Sequence, residues 1–520
     1  MMDITYFQQL KMLCQKGQWQ DAEAYWQEQI DEAQKPIVYW FAGLEIALQQ
    51  FNQQNLHKVV DELMAALKDK AQLFGILQQL SIRYQYEQAR KLLHHIAEHQ
   101  LYEAPMLNDL GNLAIRLSEY DLATKFYTQL LDNPQTKPIA LYNFAVIDRY
   151  QGNIEQCEQR LKECLAIQPN MVDAWYTLSH LKTWTEDNNH IDELDDLTLD
   201  FSITGIAKAQ IHYALAKELE DTGEYDDAFK EMQRGSKKVK QLTNYDIKED
   251  LSFLNAIKTT FRPIESETGD DLSCTPIFIC GLPRTGSTLL ERLLMAHTDI
   301  DSAGELNQFA DLFIQQAHES FAQQSLSRPE MVAKSIELNL PELGTRYLNS
   351  LDPQCTTKRY MIDKMPQNSV FVGLIRRALP TSKIILVERD HRDTCLAIYK
   401  QIFQGIYDFS YDLDDLGQYV SAMYDLMAHW QTTYPEHVHT VKYEELVENT
   451  EQVMTSVMAF LDLPMQEECL TTQSSAAIST TASATQVRQK IHSRSIGLWR
   501  NYADHLAPLE QWLTDNNSTK

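Results

Sequence analysis

The fold of the second half of this chain is decided by Pro276-Ile-Phe-Ile-Cys-Gly-Leu-Pro-Arg-Thr-Gly-Ser-Thr-Leu-Leu290. A short apolar run leads into a turn of the form G-x-x-x-x-G-S-T, and an apolar helical pattern follows. In a nucleoside-triphosphate P-loop, a lysine follows the second glycine and reaches the β- and γ-phosphates. Here that residue is Ser287. The motif therefore predicts a strand, a loop and a helix that hold two adjacent anionic groups and no γ-phosphate.

The rest of the motif has what an anion-binding loop needs. Gly281 and Gly286 allow a tight turn whose amide hydrogens point inward, and a helix that begins near Ser287 adds the positive end of its dipole. Arg284 supplies a full positive charge from within the loop. A chance strand-turn-helix with two glycines is the alternative interpretation.

Composition limits the possible functions. The chain has 520 residues, of which 44% are hydrophobic and 23% charged, and these values are typical of a globular protein with two or more domains. Its formal net charge is −27. Because nucleic acids and anionic membranes attract basic surfaces, we expect neither as a partner. An anionic ligand must then be held by a local basic cluster.

The cysteines and the N-terminus bear on the compartment. The 8 cysteines are scattered without zinc-ligand spacing, so we expect reduced thiols and no bound metal. The segment Met1–Phe7 lacks the basic and apolar regions of a secretory signal. No apolar run approaches the ~20 residues that a membrane-spanning helix needs. These features predict a cytoplasmic protein with no membrane span.

Residues 1–245 have a helical composition and a repeat. The repeat shows in two sets of positions, each spaced by 34 residues: Tyr86, Tyr120 and Ile154, and Ala89, Ala123 and Cys157. Helix pairs with this period resemble the tetratricopeptide repeat (TPR), a solenoid that often presents a concave surface to a protein partner. An irregular helical bundle is the alternative, and the sequence does not decide whether the repeats bind a partner or brace the next domain.

After a connecting segment, residues 246–274, the pattern changes over residues 275–520. Short β-branched runs at Ile277–Ile279, Ile384–Val387 and Val438–Val441 alternate with helical segments. This alternation predicts an α/β domain with a central parallel sheet. Ligands of such sheets bind at the carboxyl ends of the strands.

Two residues follow the later strands at this edge. Arg389 comes directly after the Ile384 run, and Tyr443 comes shortly after the Val438 run. Arg389 offers a second cation for an anionic ligand, and Tyr443 offers a ring that can stack on a nucleotide. A solvated charge run and a core aromatic residue are the alternatives.

Several motifs together resemble the sulfotransferase family. Pro283–Thr288 is similar to the loop that binds the 5′-phosphosulfate in that family, and Arg389–Tyr399 to the segment that binds the 3′-phosphate. Gly304-Glu305, Asp363–Pro366 and Tyr443–Leu446 follow in the order of the branch that includes tyrosylprotein sulfotransferases and bacterial TPR sulfotransferases. The resemblance covers about residues 275 to 510.

The resemblance implies 3′-phosphoadenylyl sulfate (PAPS) as donor, with 3′-phosphoadenosine 5′-phosphate (PAP) as product. PAPS has no γ-phosphate, so the missing lysine and its magnesium are not needed. The family's 5′-phosphosulfate ligands correspond to Arg284, Thr285, Gly286, Ser287 and Thr288. Arg389 would hold the 3′-phosphate, and Tyr443 would lie beside the nucleotide.

The chain departs from the family at one position. A serine usually lies eight residues beyond the 3′-phosphate arginine, and here Ala397 takes its place. The loss of one hydrogen bond to a charged group costs about 1.5 to 3 kcal/mol. Either donor binding is weaker or another segment supplies a ligand. Candidates for the substitute are Lys490, Ser493 and Arg494.

The resemblance also assigns the chemistry. The glutamate that corresponds to Glu305 takes the proton of the acceptor hydroxyl, a role worth roughly 10² to 10⁴ in rate. Lys364, expected in a polar loop, would stabilise charge on the bridging oxygen, and Arg284 would share that role. A helix-capping glutamate and a surface lysine are the alternatives.

These observations predict transfer of a sulfuryl group from PAPS to an acceptor hydroxyl without a metal ion. The acceptor stays open among a peptide tyrosine, a carbohydrate and a small metabolite. One alternative is a catalytically inactive TPR scaffold with a PAP-binding domain, which Ala397 favours. Another is a kinase or hydrolase that uses ATP or GTP, which Ser287 disfavours.

Overall fold

The structure is a computed structural model that describes residues 4–16, 18–28, 35–50, 52–262, 272, 274–321, 324–403, 405–471 and 491–513. Its internal contacts divide the chain into two compact units. The first unit is residues 1–140 with 348–353, and the second is residues 141–347 with 354–520. The predicted domain boundaries at 245 and 275 remain predictions.

The first unit is built from helices. Their bounds are α1 (Ile4–Gln15), α2 (Trp19–Gln27), α3 (Ile37–Gln49), α4 (Gln53–Ala66), α5 (Lys70–Ile82), α6 (Tyr86–Glu98), α7 (Leu107–Arg116) and α8 (Tyr120–Thr128), and α9 (Lys137–Gln151) crosses into the second unit. Asn52 and Asp69 cap two of them, because each side chain accepts a hydrogen bond from a backbone amide three residues on. The separate segment 348–353 belongs to this unit because Asp352 accepts two hydrogen bonds from Arg90, at 2.8 and 2.6 Å.

The predicted period recurs in the helix boundaries. Helices α6, α8 and α10 (Ile154–Ile167) begin at the three positions that are spaced by 34 residues. The small side chains of Ala89, Ala123 and Cys157, at the matching position of each helix, are fully buried. Small residues at these positions let neighbouring helices approach closely. The expectation of a helical N-terminal region is confirmed.

The second unit contains further helices and the sheet. The helices before the sheet are α11 (Val172–Ser179), α12 (Ile191–Leu199), α13 (Gly205–Asp221), α14 (Tyr225–Lys240) and α15 (Ile247–Thr260). Hydrogen bonds join them to the later part of this unit. Among these, Ser236 Oγ lies 2.9 Å from the Tyr399 hydroxyl, and the Tyr502 hydroxyl donates to Glu220 at 2.6 Å.

The sheet has five parallel strands, in the order β2-β3-β1-β4-β5. Their bounds are β1 (Thr275–Gly281), β2 (Ile300–Ser302), β3 (Tyr360–Lys364), β4 (Lys383–Glu388) and β5 (Val438–Lys442). The prediction of a parallel α/β domain is confirmed, and β1, β4 and β5 contain the three predicted runs. The strands β2 and β3 were not predicted, because their polar ends conceal the short apolar pattern.

Helices cover both faces of the sheet. Their bounds are α16 (Ser287–Met295), α17 (Gln308–Phe321), α18 (Arg328–Lys334), α19 (Leu340–Ser350), α20 (Val372–Ala378), α21 (His391–Tyr399), α22 (Leu413–Thr433), α23 (Tyr443–Glu448), α24 (Thr450–Phe460) and α25 (Ala503–Leu513). On one face, Leu290 of α16 and Met454 of α24 pack in the same buried cluster as Ile279 of β1. On the other face, Phe309 of α17 packs edge-on against Phe278. Burial on both faces explains why β1 and β4 are mostly apolar.

None of the described helices combines the length and apolar character that crossing a bilayer requires.

Candidate functional site

The loop after β1 lies against α23 across the carboxyl edge of the sheet. Gly286 has a φ of 99°, in the left-handed region, and a Cβ added there would lie 2.4 Å from Cδ2 of Tyr443. Gly281 is equally constrained, because its Cβ would lie 2.6 Å from the carbonyl oxygen of Val387 on β4. Both glycines of the motif are therefore needed for close packing. The loop and Tyr443 are in direct contact.

The remaining loop residues are fixed from within. Arg284 has a φ of 67°, a strained conformation for a residue with a side chain. Thr285 is buried and its hydroxyl donates to the carbonyl of Leu282 at 2.9 Å, which closes the loop on itself. Ser287 and Thr288 are the buried first residues of α16, so their amides lie at the positive end of the helix dipole.

Arg389 follows β4 and reaches the same loop. Its Nη1 donates to the carbonyl of Arg284 at 3.1 Å, and its Nη2 donates to the carbonyl of Ser495. The guanidinium carbon lies 5.0 Å from the centre of the Tyr443 ring, within range of a cation–π interaction. The Nε of Arg389 is buried and has no hydrogen-bond partner among the residues that the structure describes. We call Arg284, Gly286, Arg389 and Tyr443 the donor side of the site.

The two arginines of the donor side act on each other electrostatically. Burial lowers the pKa of Arg284, and the positive charge of Arg389 lowers it further. The charges of Tyr443 and Glu305 act in the opposite direction on the same guanidinium. Two like charges so close together favour an anionic ligand between them.

Arg389 is held at its backbone as well. The Tyr424 hydroxyl donates to the Arg389 carbonyl at 2.6 Å and accepts from its amide at 3.3 Å. Asp393 accepts hydrogen bonds from the amides of Gly497 at 2.6 Å and Trp499 at 3.0 Å. These bonds fix the chain around Ser495 beside Arg389.

The predicted substitute ligands lie on this C-terminal segment. Ser493 and Arg494 are exposed and precede Ser495, whose carbonyl meets Arg389. Lys490 lies outside the described residues. Ala397 lies on α21, two turns after Arg389. The structure thus brings the segment of Ser493 and Arg494 to Arg389, and their contact with a donor remains a prediction.

Lys364 is the last residue of β3, and its side chain is 1% exposed. Its Nζ donates to Oε1 of Glu305, and it lies 3.9 Å from Oε2 of Glu291 on α16. The expectation that Lys364 lies in a polar loop was wrong. A buried ammonium is tolerated here because carboxylates compensate its charge. We call Glu291, Glu305 and Lys364 the proton side of the site.

Glu305 is placed by an extension of the sheet. The amide of Ala303 donates to the Ile362 carbonyl at 2.9 Å, and the amide of Lys364 donates to the Gly304 carbonyl at 2.8 Å. The segment between α16 and Glu305 therefore contains β2, which runs beside β3. The Glu305 side chain is 44% exposed. The exposure of this carboxylate lets a bound acceptor reach it, and the hydrogen bond from Lys364 holds it in place.

Three residues at the site were not predicted from the sequence. Glu291 lies four residues after Ser287 and so on the same face of α16, a signal that the sequence did contain. Tyr407 is close enough for the charge of Glu305 to add to the burial that raises the pKa of Tyr407. The Tyr176 hydroxyl of α11 accepts a hydrogen bond from Gln401 at 3.1 Å and acts on Arg284 electrostatically. The sequence carried no signal for the last two.

Within the described ranges, no group of three or more histidine, cysteine, aspartate or glutamate side chains is arranged to hold a metal ion.

Comparisons with known proteins agree with the motifs at the level of the domain. Residues 276–467 match the model of the sulfotransferase family. This part of the chain carries a sulfotransferase-family domain, as expected. The remainder lies outside the match.

Relatives extend the similarity. The chain is 28% identical over 372 residues to an uncharacterized protein of Aquifex aeolicus, covering 70% of this chain and 48% of that protein. The chain thus spans about half the length of this relative. It is 24% identical over 236 residues to protein-tyrosine sulfotransferase 1 of Danio rerio, covering 42% of this chain and 62% of that protein.

Among solved structures, the sulfotransferase domain of the Synechococcus PCC 7002 olefin synthase is similar, with a TM-score of 0.34 at 18% identity. The likeness covers 48% of this chain and 98% of that domain. A TM-score of this size supports no further statement.

Proposed function

We propose that this protein transfers a sulfuryl group from PAPS to a hydroxyl group of an acceptor, without a metal ion. The observation that carries the proposal is the meeting of Arg284 and Arg389 on one side of a glycine loop, next to the Lys364–Glu305 pair. The first pair suits a nucleotide with separate anionic groups. The second suits removal of a proton.

The donor side fits PAPS on two counts. The buried Nε of Arg389 finds no acceptor within the described part of the chain, and a 3′-phosphate would supply one. Ser287 stands where a γ-phosphate would need a lysine. Arg284, Thr285, Gly286, Ser287 and Thr288 would hold the 5′-phosphosulfate, and Ser493, Arg494 and Lys490 would supplement Arg389. When bound, PAPS supplies the sulfuryl group.

The protein's own residues then supply the acid–base and electrostatic work. Glu305 accepts the proton of the acceptor hydroxyl, which is otherwise a poor nucleophile at neutral pH. Lys364 donates a hydrogen bond to the bridging oxygen as negative charge develops there, and Arg284 stabilises the same charge from within the loop. The fixed loop positions these groups in line with the acceptor.

The finer proposals concern the acceptor and the helices. A protein tyrosine is one acceptor class, supported by the similarity to protein-tyrosine sulfotransferase 1, and a carbohydrate or small molecule is the other. We also propose that the helical region is TPR-like, which the 34-residue spacing between the first residues of α6, α8 and α10 supports, and that it binds a protein partner. The scattered spacing of the 8 cysteines in the sequence supports a cytoplasmic location.

Calorimetry and sulfate transfer test the proposal. We expect PAP to bind without magnesium, and labelled sulfate to pass from PAPS to a component of a lysate of the source cell. PAP binding without transfer would favour the inactive scaffold. Binding of ATP or GTP that depends on magnesium would favour a kinase or hydrolase.

A further inference from the structure

A second carboxylate lies beside the Lys364–Glu305 pair and has no role in the mechanism above. The Glu291 side chain is 9% exposed, and its Oε2 lies 3.9 Å from Nζ of Lys364. Ser302 Oγ donates to the other oxygen of Glu291 at 2.6 Å, and the Gly304 amide donates to Ser302 Oγ at 3.0 Å. Glu291 is thereby tied to the loop that carries Glu305.

We propose that Glu291 is a positioning residue that keeps the Lys364 ammonium compensated while Glu305 takes up the acceptor proton. The inference rests on the proposed function, because it concerns the same transfer step. Glu291 does not itself touch the reacting atoms. It acts through Lys364.

The need for a second carboxylate follows from the charges. Before transfer, one ammonium faces two carboxylates. During transfer, Glu305 accepts the proton that the acceptor hydroxyl releases as its oxygen bonds to sulfur. Lys364 donates a hydrogen bond to the oxygen that keeps the electron pair of the broken sulfur–oxygen bond. Glu305 later returns its proton to solvent, and the charges are restored.

Protonation of Glu305 removes the partner to which Lys364 is bonded. Because the Lys364 side chain is 1% exposed, water cannot replace that partner, and a buried ammonium without compensation is strongly unfavourable. Glu291 remains negative and keeps the cluster neutral. Before transfer it also shares the charge of the Lys364 ammonium with Glu305.

The surroundings of the two carboxylates support this division of roles. The charged and titratable groups that act on them are Lys364, Arg292, Arg284 and Tyr407. Burial raises the pKa of Glu291, while Lys364 and the Ser302 hydroxyl act to lower it. Because folding raises the pKa of Glu291, ionisation of this carboxyl lowers the stability of the folded protein.

The first test is a pH–rate profile of Glu291→Gln, an isosteric change that removes only the charge. The probe is labelled sulfate from saturating PAPS, transferred to a fixed lysate of the source cell. We expect a fall in rate of about tenfold, less than the ~10² to 10⁴ attributed to a general base. The KM for PAPS should not change. The acidic limb of the profile should move to lower pH, because Glu305 opposite Lys364 alone holds its proton less tightly.

Two further variants serve as controls for Glu291→Gln. Glu291→Asp keeps the charge and should recover part of the rate. Glu337→Gln removes the same charge from an exposed position in the same unit and should leave both rate and profile unchanged. A purely structural role of Glu291 would lower the rate at every pH without moving the acidic limb.

The second test needs no substrate and measures the melting temperature of the nucleotide-free protein. A carboxyl whose pKa is raised by folding destabilises the fold as pH rises above its ordinary value of 4.5. Glu291→Gln should therefore match the wild type in acid and melt at a higher temperature at neutral pH.

The outcomes separate the two proposals. If the wild type labels the lysate and Glu291→Gln shows the same rate and profile, the positioning role is excluded and the proposed function stands. A lower melting temperature of Glu291→Gln at neutral pH, with an unmoved acidic limb, also excludes it. If the wild type transfers no sulfate at any pH, the proposed function fails and the inference fails with it.

Discussion

The donor side and the proton side of the candidate site differ in whether their positive charge is compensated by nearby carboxylates. On the donor side, Arg389 donates to the Arg284 carbonyl, and its positive charge lowers the pKa of Arg284. On the proton side, Lys364 is bonded to Glu305 and lies 3.9 Å from Glu291. The first cluster carries excess positive charge, and the second is compensated within the protein.

This difference teaches what each cluster is built to do. Like charges held together by the fold are relieved by an anion, so the donor side gains most from binding a ligand. A compensated cluster is already organised before the ligand arrives, and so it suits a step in which one proton moves. Changes on the donor side should therefore alter nucleotide affinity, and changes on the proton side should alter rate.

The largest effect is expected for Glu305→Gln. Removal of the base should lower the rate of sulfate transfer by about 10² to 10⁴. The affinity for PAP, measured by calorimetry, should stay within about twofold, since a change smaller than 0.5 kcal/mol is the usual effect of a substitution away from the contacts. Glu337→Gln is the matched control for the charge. If PAP affinity fell together with the rate, nucleotide binding could not be assigned to the donor side alone.

The next largest effect is expected for Arg389→Gln. The lost hydrogen bonds to a charged group are worth about 1.5 to 3 kcal/mol, which corresponds to a PAP affinity about 10- to 100-fold weaker. Arg392→Gln is the control, because this arginine on the same segment pairs with Glu510 instead. Arg389→Lys should be intermediate, since a lysine keeps the charge and loses the fork of donors. Unchanged affinity in Arg389→Gln would remove this residue from the donor side.

A smaller effect is expected for Gly286→Ala. Its left-handed φ of 99° costs an alanine roughly 1 to 2 kcal/mol, and the new Cβ would also push against the Tyr443 ring. Gly223→Ala is the control for backbone strain without a steric contact, because Gly223 has a φ of 88° and no atom lies within 4 Å of the added Cβ. Both variants should melt at lower temperature, and only Gly286→Ala should bind PAP more weakly. Equal PAP affinity in the two variants would show that contact with Tyr443 does not shape the donor side.

Local sequence patterns predicted the donor side, whereas Glu305 and Lys364 of the proton side were assigned only through the family resemblance and Glu291 was not predicted. Arg284 lies in the loop after one predicted strand, and Arg389 directly follows another. Because the carboxyl ends of parallel strands lie at the same edge of the sheet, the sequence predicts that these two residues lie close together. The site roles themselves remain predictions. Lys364 was misplaced because a polar strand end looks like a loop, and its burial depends on Glu305 and Glu291, which are distant from it in the sequence.

The same reasoning explains the remaining differences in the fold. Strands β1, β4 and β5 were predicted from short β-branched runs, and the signal is plainest in β1 and β4, which are almost completely buried. Strand β2 has three residues and two of them are polar, Asp301 and Ser302, so its pairing with β3 decides its conformation. The approach of Tyr176 to Arg284 depends on how α11 packs within the second unit, and no local pattern encodes that.

The smallest effect is expected when the ion pair of Arg392 and Glu510 is broken. This pair shows how little a solvent-exposed arginine contributes when it is compared with Arg389. Arg392 is compensated, as Lys364 is, but the two side chains are 26% and 40% exposed. An ion pair so open to solvent is worth about 0 to 1 kcal/mol. The hydrogen bond from Arg392 lowers the pKa of Glu510 from its ordinary value of 4.5. The pair therefore stabilises the fold at pH values above 4.5, and this contribution is lost as the pH falls through the lowered pKa of Glu510.

Thermal melts of Arg392→Gln and wild type should therefore differ slightly at neutral pH and converge in acid. PAP affinity and transfer rate should be unchanged, because the guanidinium is bound to Glu510 and packs over the Trp499 ring at 4.9 Å. A clear loss of PAP affinity in Arg392→Gln would place a third arginine on the donor side. The excess positive charge there would then be larger than the contacts of Arg284 and Arg389 indicate, and affinity could no longer be assigned to those two residues alone.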